Sequence, residues 1–164
     1  MYVKCSSAVK GKRVFDKNHY CLYCSKSRTD RTKYLFNKHK DEVHIKQIMM
    51  HTKMSQERKL ELVRNLGDYR NNCEVRSKGE GEIIPWRSPP EHVAVEKYVP
   101  CPDCFAFFQQ NRLWRHHKEC AFFKKSGKKH VFRSLKSEAE LLLPSTHEVP
   151  CGLQERILAM MNRD

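Results

Sequence analysis

Apolar residues along this chain fall in short groups separated by long polar stretches. The clearest periodic group is SQERKLELVRNL, residues 55–66, where Leu60, Val63 and Leu66 recur near helical spacing, with Met50 and Met54 upstream. This spacing predicts a short helix capped by Ser55 and stopped by Gly67. Residues 31–50 carry a second helical pattern, with Thr32 as its cap. GEGEIIPWRSPP, with its glycines and prolines, predicts a loop or extended segment that Ile83, Ile84 and Trp86 tack onto a surface. PCGLQERILAMMNRD predicts the start of an amphipathic helix, with Leu153, Ile157 and Met160 or Met161 on one side. That face would suit a protein partner. With no second element after it, the pattern reads as the beginning of something longer.

Composition changes this picture. The chain has 164 residues, 39% of them hydrophobic and 31% charged. That balance suits small modules joined by solvated linkers better than one large core. No apolar run reaches the roughly 20 residues needed to span a bilayer, so no membrane partner is expected. MYVKCSSAVKGKRVFDK has no apolar secretory core. A reducing compartment is therefore expected, where the eight cysteines would serve as thiols or metal ligands rather than disulfides.

Charge is concentrated. The formal net charge is +13; residues 1–40 hold 11 Lys and Arg against 2 Asp and Glu, and residues 101–133 hold 8 against 2. Both blocks also carry the Cys/His clusters. A basic field over compact modules points to a polyanion, with nucleic acid the usual one, while solubility or nuclear import are the plainer readings.

The candidate chemistry lies in two stretches. CPDCFAFFQQNRLWRHHKEC, residues 101–120, opens with Cys101-x2-Cys104, a spacing that lets a tight turn aim two thiolates at one ion, and Pro102 favours the turn. His116 and Cys120 stand at i and i+4 and share one helix face. Two ligands from a turn and two from a helix make the tetrahedron of structural zinc. Thiolate and imidazole are also soft enough to prefer zinc to magnesium or calcium. His117, three before Cys120, is the alternative ligand, and would put Trp114 rather than Leu113 in the core. His116 is preferred, and His117 is then expected on the surface near the helix end. A Cys101–Cys120 disulfide is the rival that the compartment disfavours.

HYCLYCSKSRTDRTKYLFNKHKDEVH repeats the logic with Cys21, Cys24, His39 and His44. The four residues between the histidines require the helix to loosen in its last turn. Cys5, Cys73 and Cys151, and the remaining histidines, have no partners at ligand spacing.

Both stretches resemble the Cys2His2 zinc-finger family, with Cys120 in place of the last histidine of the second. Phe107-x5-Leu113-x2-His116 has the family's core spacing. Cys104 to His116 encloses 11 residues against the family's usual value of about 12. The first stretch departs further: Cys24 to His39 encloses 14, Asp30 stands where the core aromatic belongs, and Phe36 takes the core aliphatic place. Tyr20, Tyr23 or Tyr34 would substitute for the aromatic. The resemblance implies two zinc ions and a small α+β fold. It consists of two separate ββα-type fingers, residues 19–50 and 98–123, with a basic arm over 1–18, a helical and Pro-rich linker over 51–97, and a basic tail with a helical segment over 124–164.

It also implies base-facing positions: Gln109, Arg112 and Arg115, with Lys118 on phosphate. The first finger's equivalents, Thr32, Leu35 and Lys38, are poor base readers, which leaves Lys33 and Lys38 for the backbone. The order of motifs over about 15–164 further resembles the N-terminal region of poorly characterised animal zinc-finger proteins related to transposable-element recombinases. Fifty-six residues separate His44 from Cys101, so the fingers either act independently or are fixed by what lies between. The expected function is nuclear, zinc-dependent nucleic-acid binding, most simply to double-stranded DNA, with a protein-interaction adaptor as the alternative. No His-Glu-x-x-His, phosphate loop or nucleophile elbow appears, and both clusters offer four ligands, which leaves no open position for a catalytic metal. No enzyme activity is expected.

Overall fold

The computed structural model describes residues 1–14, 17–126 and 132–144. The predicted helix over 150–164, with Cys151, lies outside them, as does most of the basic tail. The described chain is a small α+β structure of two-stranded ladders and helices. In order, β1 (Tyr2–Val3), β2 (Ala8–Val9), β3 (Lys12–Arg13), β4 (His19–Tyr20) and β5 (Ser27–Arg28) precede α1 (Arg31–Lys38), α2 (Val43–Met49) and α3 (Lys53–Lys78). Then follow β6 (Glu82–Ile83), β7 (Tyr98–Pro100), β8 (Phe107–Gln109), α4 (Leu113–Glu119), α5 (Ala121–Ser126) and α6 (Phe132–Leu141). Among the described residues no helix is long and apolar enough to cross a membrane.

Helix α3 organises the rest. It runs for 26 residues, from a Thr52 N-cap to Gly79 in the left-handed conformation (φ +74°). The predicted stop at Gly67 is therefore overturned. Gly67 is packed rather than terminal: a Cβ there would lie 2.1 Å from the Tyr20 carbonyl oxygen and 3.0 Å from the Leu22 nitrogen. The residue that reads as a helix breaker is where the backbone after β4 passes against the helix. A glycine mid-helix costs about 1 kcal/mol of propensity, which packing on both sides overrides.

The neighbours of Gly67 complete the docking. Asp68 accepts the Tyr20 backbone N–H at 3.0 Å and pairs with His19 Nδ1 at 2.6 Å. Arg70 donates to the Leu22 carbonyl at 3.1 Å. One turn on, Asn72 pairs with both backbone groups of Ile84, donating to its carbonyl at 2.9 Å and accepting its N–H at 2.7 Å. Arg76, over the Phe107 ring, donates to the carbonyls of Val95 and Tyr98. The helix thus presents polar side chains that hold extended backbone segments along its length, satisfying groups that burial would otherwise penalise.

Two segments expected at the periphery are part of this framework. β1 pairs in parallel with β6, Val3 is buried, and the Met1 amine donates to the Gly79 carbonyl at 3.0 Å. α6 packs over β7, with Leu135 and Ala139 buried.

The two Cys/His stretches are not separate. One continuous apolar core contains Cys21 and Leu35 from the first, Ile45 and Ile48 from α2, Leu62, Leu66 and Tyr69 from α3, and Phe105 and Phe107 from the second. The Tyr69 ring meets Phe105 edge-on at 5.3 Å and Phe107 at 6.1 Å. A second core gathers Cys101, Cys104, Leu113 and Cys120 with Leu135 and Ala139.

Gly67→Ala should cost 1–3 kcal/mol or somewhat more, about the range for overpacking, because the clash is with backbone that cannot rotate away. Gly79→Ala, which meets nothing within 4 Å, should cost only the left-handed penalty of roughly 1 kcal/mol. Denaturant midpoints of the two variants check the order.

Candidate metal centres

Both Cys-x2-Cys segments fold into the same local turn. Ser25 N–H donates to the Cys21 carbonyl at 2.9 Å, and Cys21 N–H to the Lys26 carbonyl at 3.0 Å. In the second, Phe105 N–H donates to Cys101 at 2.9 Å, and Cys101 N–H to Ala106 at 2.9 Å. The residue after each second cysteine is left-handed: Ser25 at φ +56° and Phe105 at φ +61°. Neither is glycine, so each turn holds a conformation that L-residues adopt at a cost. Such strain is held where the surrounding structure over-determines it. Here the turn points two sulfur atoms the same way.

In the second centre the ligand atoms of Cys101, Cys104, His116 and Cys120 lie within 4.8 Å of one another, with Cys104 Sγ 3.3 Å from His116 Nε2. Tetrahedral zinc with bonds of about 2.0–2.3 Å places its ligands roughly 3.3–3.8 Å apart. The donor set and spacing fit a metal ion of that type. The thiols are electrostatically unequal. Hydrogen bonds from Cys101 and Cys104 hold Cys120 well below the usual thiol range. Burial pushes Cys101 up, and hydrogen bonding with Cys101 and Cys120 together with burial pushes Cys104 up. Three sulfurs packed so closely in a dry site cannot all ionise without a cation among them.

His116 joins the cluster, stacked on Phe108 with centroids 3.8 Å apart. His117 is not on the surface, as expected from sequence, but buried at 6% exposure. Its Nε2 is 2.8 Å from Asp103 Oδ2, and its ring lies 3.9 Å from Phe123. The Asp103 between the two cysteines supplies the partner that makes this burial tolerable. Leu113 packs in the second core as its spacing predicts. Phe107 is buried too, but against α3.

The first centre brings together Cys21, Cys24 and His39, with Cys21 Sγ 3.5 Å from His39 Nε2. Tyr23 stacks on the His39 ring and Tyr34 meets its edge, at 5.1 Å and 5.5 Å. These two tyrosines, Tyr34 with its hydroxyl 3.2 Å from Cys24 Sγ, take the place of the missing core aromatic. Burial disfavours ionisation of Cys24, but hydrogen bonds from Tyr34, the Lys26 backbone, His39 and Cys21 outweigh it and bring the thiol down to about 6. Burial pushes Cys21 up.

His44 is not among the gathered ligand atoms. The predicted continuous helix ends at Lys38 and restarts at Val43, with His39 as the C-cap of α1. The four-residue gap is thus absorbed by a break, not by a loosened turn. The His44 Nε2 is nevertheless buried with no hydrogen-bond partner. Leu35, not Phe36, is the inward aliphatic of α1, at 1% exposure, because the helix is rotated by one position relative to the family spacing.

Of the residues expected to meet nucleic acid, Arg112, Arg115, Lys118, Lys33 and Lys38 are exposed. Gln109 is half-buried and donates to the Tyr98 hydroxyl at 3.3 Å. Leu35 faces the core. The His117–Asp103 pair and the left-handed turn residues carry no sequence signal, since neither a glycine nor a ligand spacing marks them.

No protein-family profile, curated protein or solved structure matches the chain.

His116→Ala should lower bound zinc by one equivalent, measured by atomic emission after gel filtration. His117→Ala should retain zinc but lose about 1–3 kcal/mol of stability, the cost of leaving a buried Asp103 unpaired. The reverse pattern would make His117 the ligand.

Proposed function

We propose that the chain is a zinc-dependent nucleic-acid-binding protein of two fingers, that its first target is double-stranded DNA, and that it works in the nucleus without a catalytic role. Each finger consists of a Cys-x2-Cys turn within a short ladder and the helix that follows: β4–β5–α1 and β7–β8–α4. Cys101, Cys104, His116 and Cys120 hold one zinc ion. Cys21, Cys24 and His39 hold the other, with His44 as the fourth ligand, since its buried, unpaired Nε2 needs a partner and α2 begins only one residue before it.

The observation that carries this reading is the outer surface of the second finger. Arg112, Arg115 and Lys118 are exposed on or beside the seven-residue helix that supplies His116. Between them stands Trp114, with the Arg115 guanidinium 5.3 Å and the Lys118 ammonium 4.9 Å from its ring centre. Three cations anchored by a zinc-held helix suit a phosphate backbone, and arginine adds bidentate reading of guanine. Gln109 would read adenine only after giving up its bond to Tyr98, so the arginines carry more of the selectivity. On the first finger Lys33 and Lys38 serve the backbone. The Asp30 partner of Lys33, 3.6 Å away and exposed, is a weak competitor. The shared α3 core holds the two surfaces in fixed relation, in place of the short linker of tandem fingers.

A protein-interaction adaptor is the second reading. Val43, Met49, Met50 and Met54 are exposed at 65, 51, 86 and 73% around the α2–α3 corner, and clustered methionines suit adaptable apolar contact.

Binding to a random-sequence duplex pool at two salt concentrations separates the two. DNA binding should weaken with a log–log slope of about −0.9 per phosphate contacted. Arg112→Ala/Arg115→Ala should lose any selected motif while salt-sensitive bulk binding survives. Indifference to DNA at both salt levels would favour the adaptor. His44→Ala should lower zinc by one equivalent and leave the second centre filled.

A further inference from the structure

Beside α3 lies a half-open cleft of about 360 Å³. Its walls come from three places: His19 in β4, Arg64, Asn65 and Asp68 on α3, and Pro85, Trp86 and Phe107 from the segments that lead to the second centre. Lys17 reaches in from the segment just before β4.

The polar groups in it are unevenly satisfied. Asp68 is fully engaged, by the Tyr20 N–H and by His19 Nδ1. Lys17 is fixed over the carbonyls of Pro85 and Trp86. Asn65, by contrast, is 2% exposed and its Nδ2 is buried with no hydrogen-bond partner. A buried amide donor left without an acceptor costs about 1–3 kcal/mol, and a native structure keeps such a group where something else completes it. What would complete it is an acceptor. The adjacent Arg64 and Lys17 add two positive charges, against the single carboxylate already covered by His19. The opposite wall is flat and apolar, formed by Pro85 and the half-buried Trp86.

We propose that this cleft binds a phosphate monoester carried on a planar group, the chemistry of a nucleoside monophosphate. The oxyanion sits among Asn65, Arg64 and Lys17, and the planar ring lies against Trp86. A volume of about 360 Å³ falls within the range of small-ligand pockets, about 300–1,000 Å³. The phosphate has two sources, a free nucleotide or one residue of a bound nucleic-acid strand. The site shares no residue with the Arg112–Lys118 surface, so it stands or falls independently of DNA reading there.

The chain has two tryptophans, so in a Trp114→Phe background Trp86 alone reports on the cleft. The zinc-loaded protein would be titrated with adenosine monophosphate, with inorganic phosphate, and with a short single-stranded oligonucleotide. Saturable quenching by the monophosphate is expected, at least tenfold tighter than any response to inorganic phosphate. Arg64→Ala should weaken it about tenfold or more. Asn65→Asp, which replaces the donor with a like charge, should abolish it while zinc content stays at the parent level. Quenching by the oligonucleotide that is stronger than by the monophosphate would assign the phosphate to a strand. No saturable response, equal affinity for inorganic phosphate, or unchanged binding in Arg64→Ala would each overturn the proposal. Should Asn65→Asp fail to hold zinc, Arg64→Ala decides alone, because Arg64 is only half-buried and its loss leaves no cavity in the core.

Discussion

The close approach of backbone to helix at Gly67 sets the geometry of the rest. With the Tyr20 carbonyl where a Cβ would be, the segment leading into the first Cys-x2-Cys turn lies directly on α3. Asp68 and Arg70 then fix it by hydrogen bonds to backbone. From that contact the position of Cys21 follows, since it is one residue past Tyr20. On the same helix, Tyr69 receives Phe105 and Phe107, which flank the second turn. Two Cys/His clusters far apart in sequence, each able to hold a metal ion, are therefore tied to three consecutive residues of one helix. A change at Gly67 would be felt at both.

A metal ion in each cluster would help a chain with a low apolar content hold together. Zinc-stabilised modules draw folding energy from the metal, with apparent binding free energies of about 10–16 kcal/mol for zinc-finger peptides. The ligand thiols here are unevenly poised. Cys120 and Cys24 lean toward thiolate, and Cys101, Cys104 and Cys21 resist ionisation in their buried setting. A dication changes that balance for all of them at once. Cys21 lies in the apolar core around Tyr69, and Cys101, Cys104 and Cys120 lie in the second core with Leu113, so each ligand group sits within packed apolar residues.

The polar side chains of α3 serve a second purpose. Asn72 and Arg76 bind the backbone of the 82–98 segment, turning what reads as a Pro-rich linker into a strap across the helix. The strap and the first module together wall the cleft that contains Asn65. The exposed arginine surface of α4 lies on a different element. The same helix lines that cleft through Arg64, Asn65 and Asp68.

Sequence alone marked the candidate ligand groups. Cys-x2-Cys spacing and the His116–Cys120 interval are legible because each lies within about a turn of chain, where backbone geometry follows from residue count. Cys101, Cys104, His116 and Cys120 gather as those intervals predict, and Cys21, Cys24 and His39 gather without His44. The tertiary structure decided what depended on partners beyond the next turn of chain, 48 residues apart for Tyr20 and Asp68 and 14 for Asp103 and His117. Gly67 reads as a stop because propensity is a local quantity, yet it continues the helix because Tyr20 needs the space. His117 reads as a surface residue because His116 takes the ligand position, yet Asp103 and Phe123 bury it. Phe36 reads as the core residue by family spacing, yet Leu35 is the residue packed in the core with Ile45, Leu62 and Leu66. At Gly67 a close contact between distant segments outweighs a preference worth about a kilocalorie per residue, and no periodicity in the chain announces such a contact.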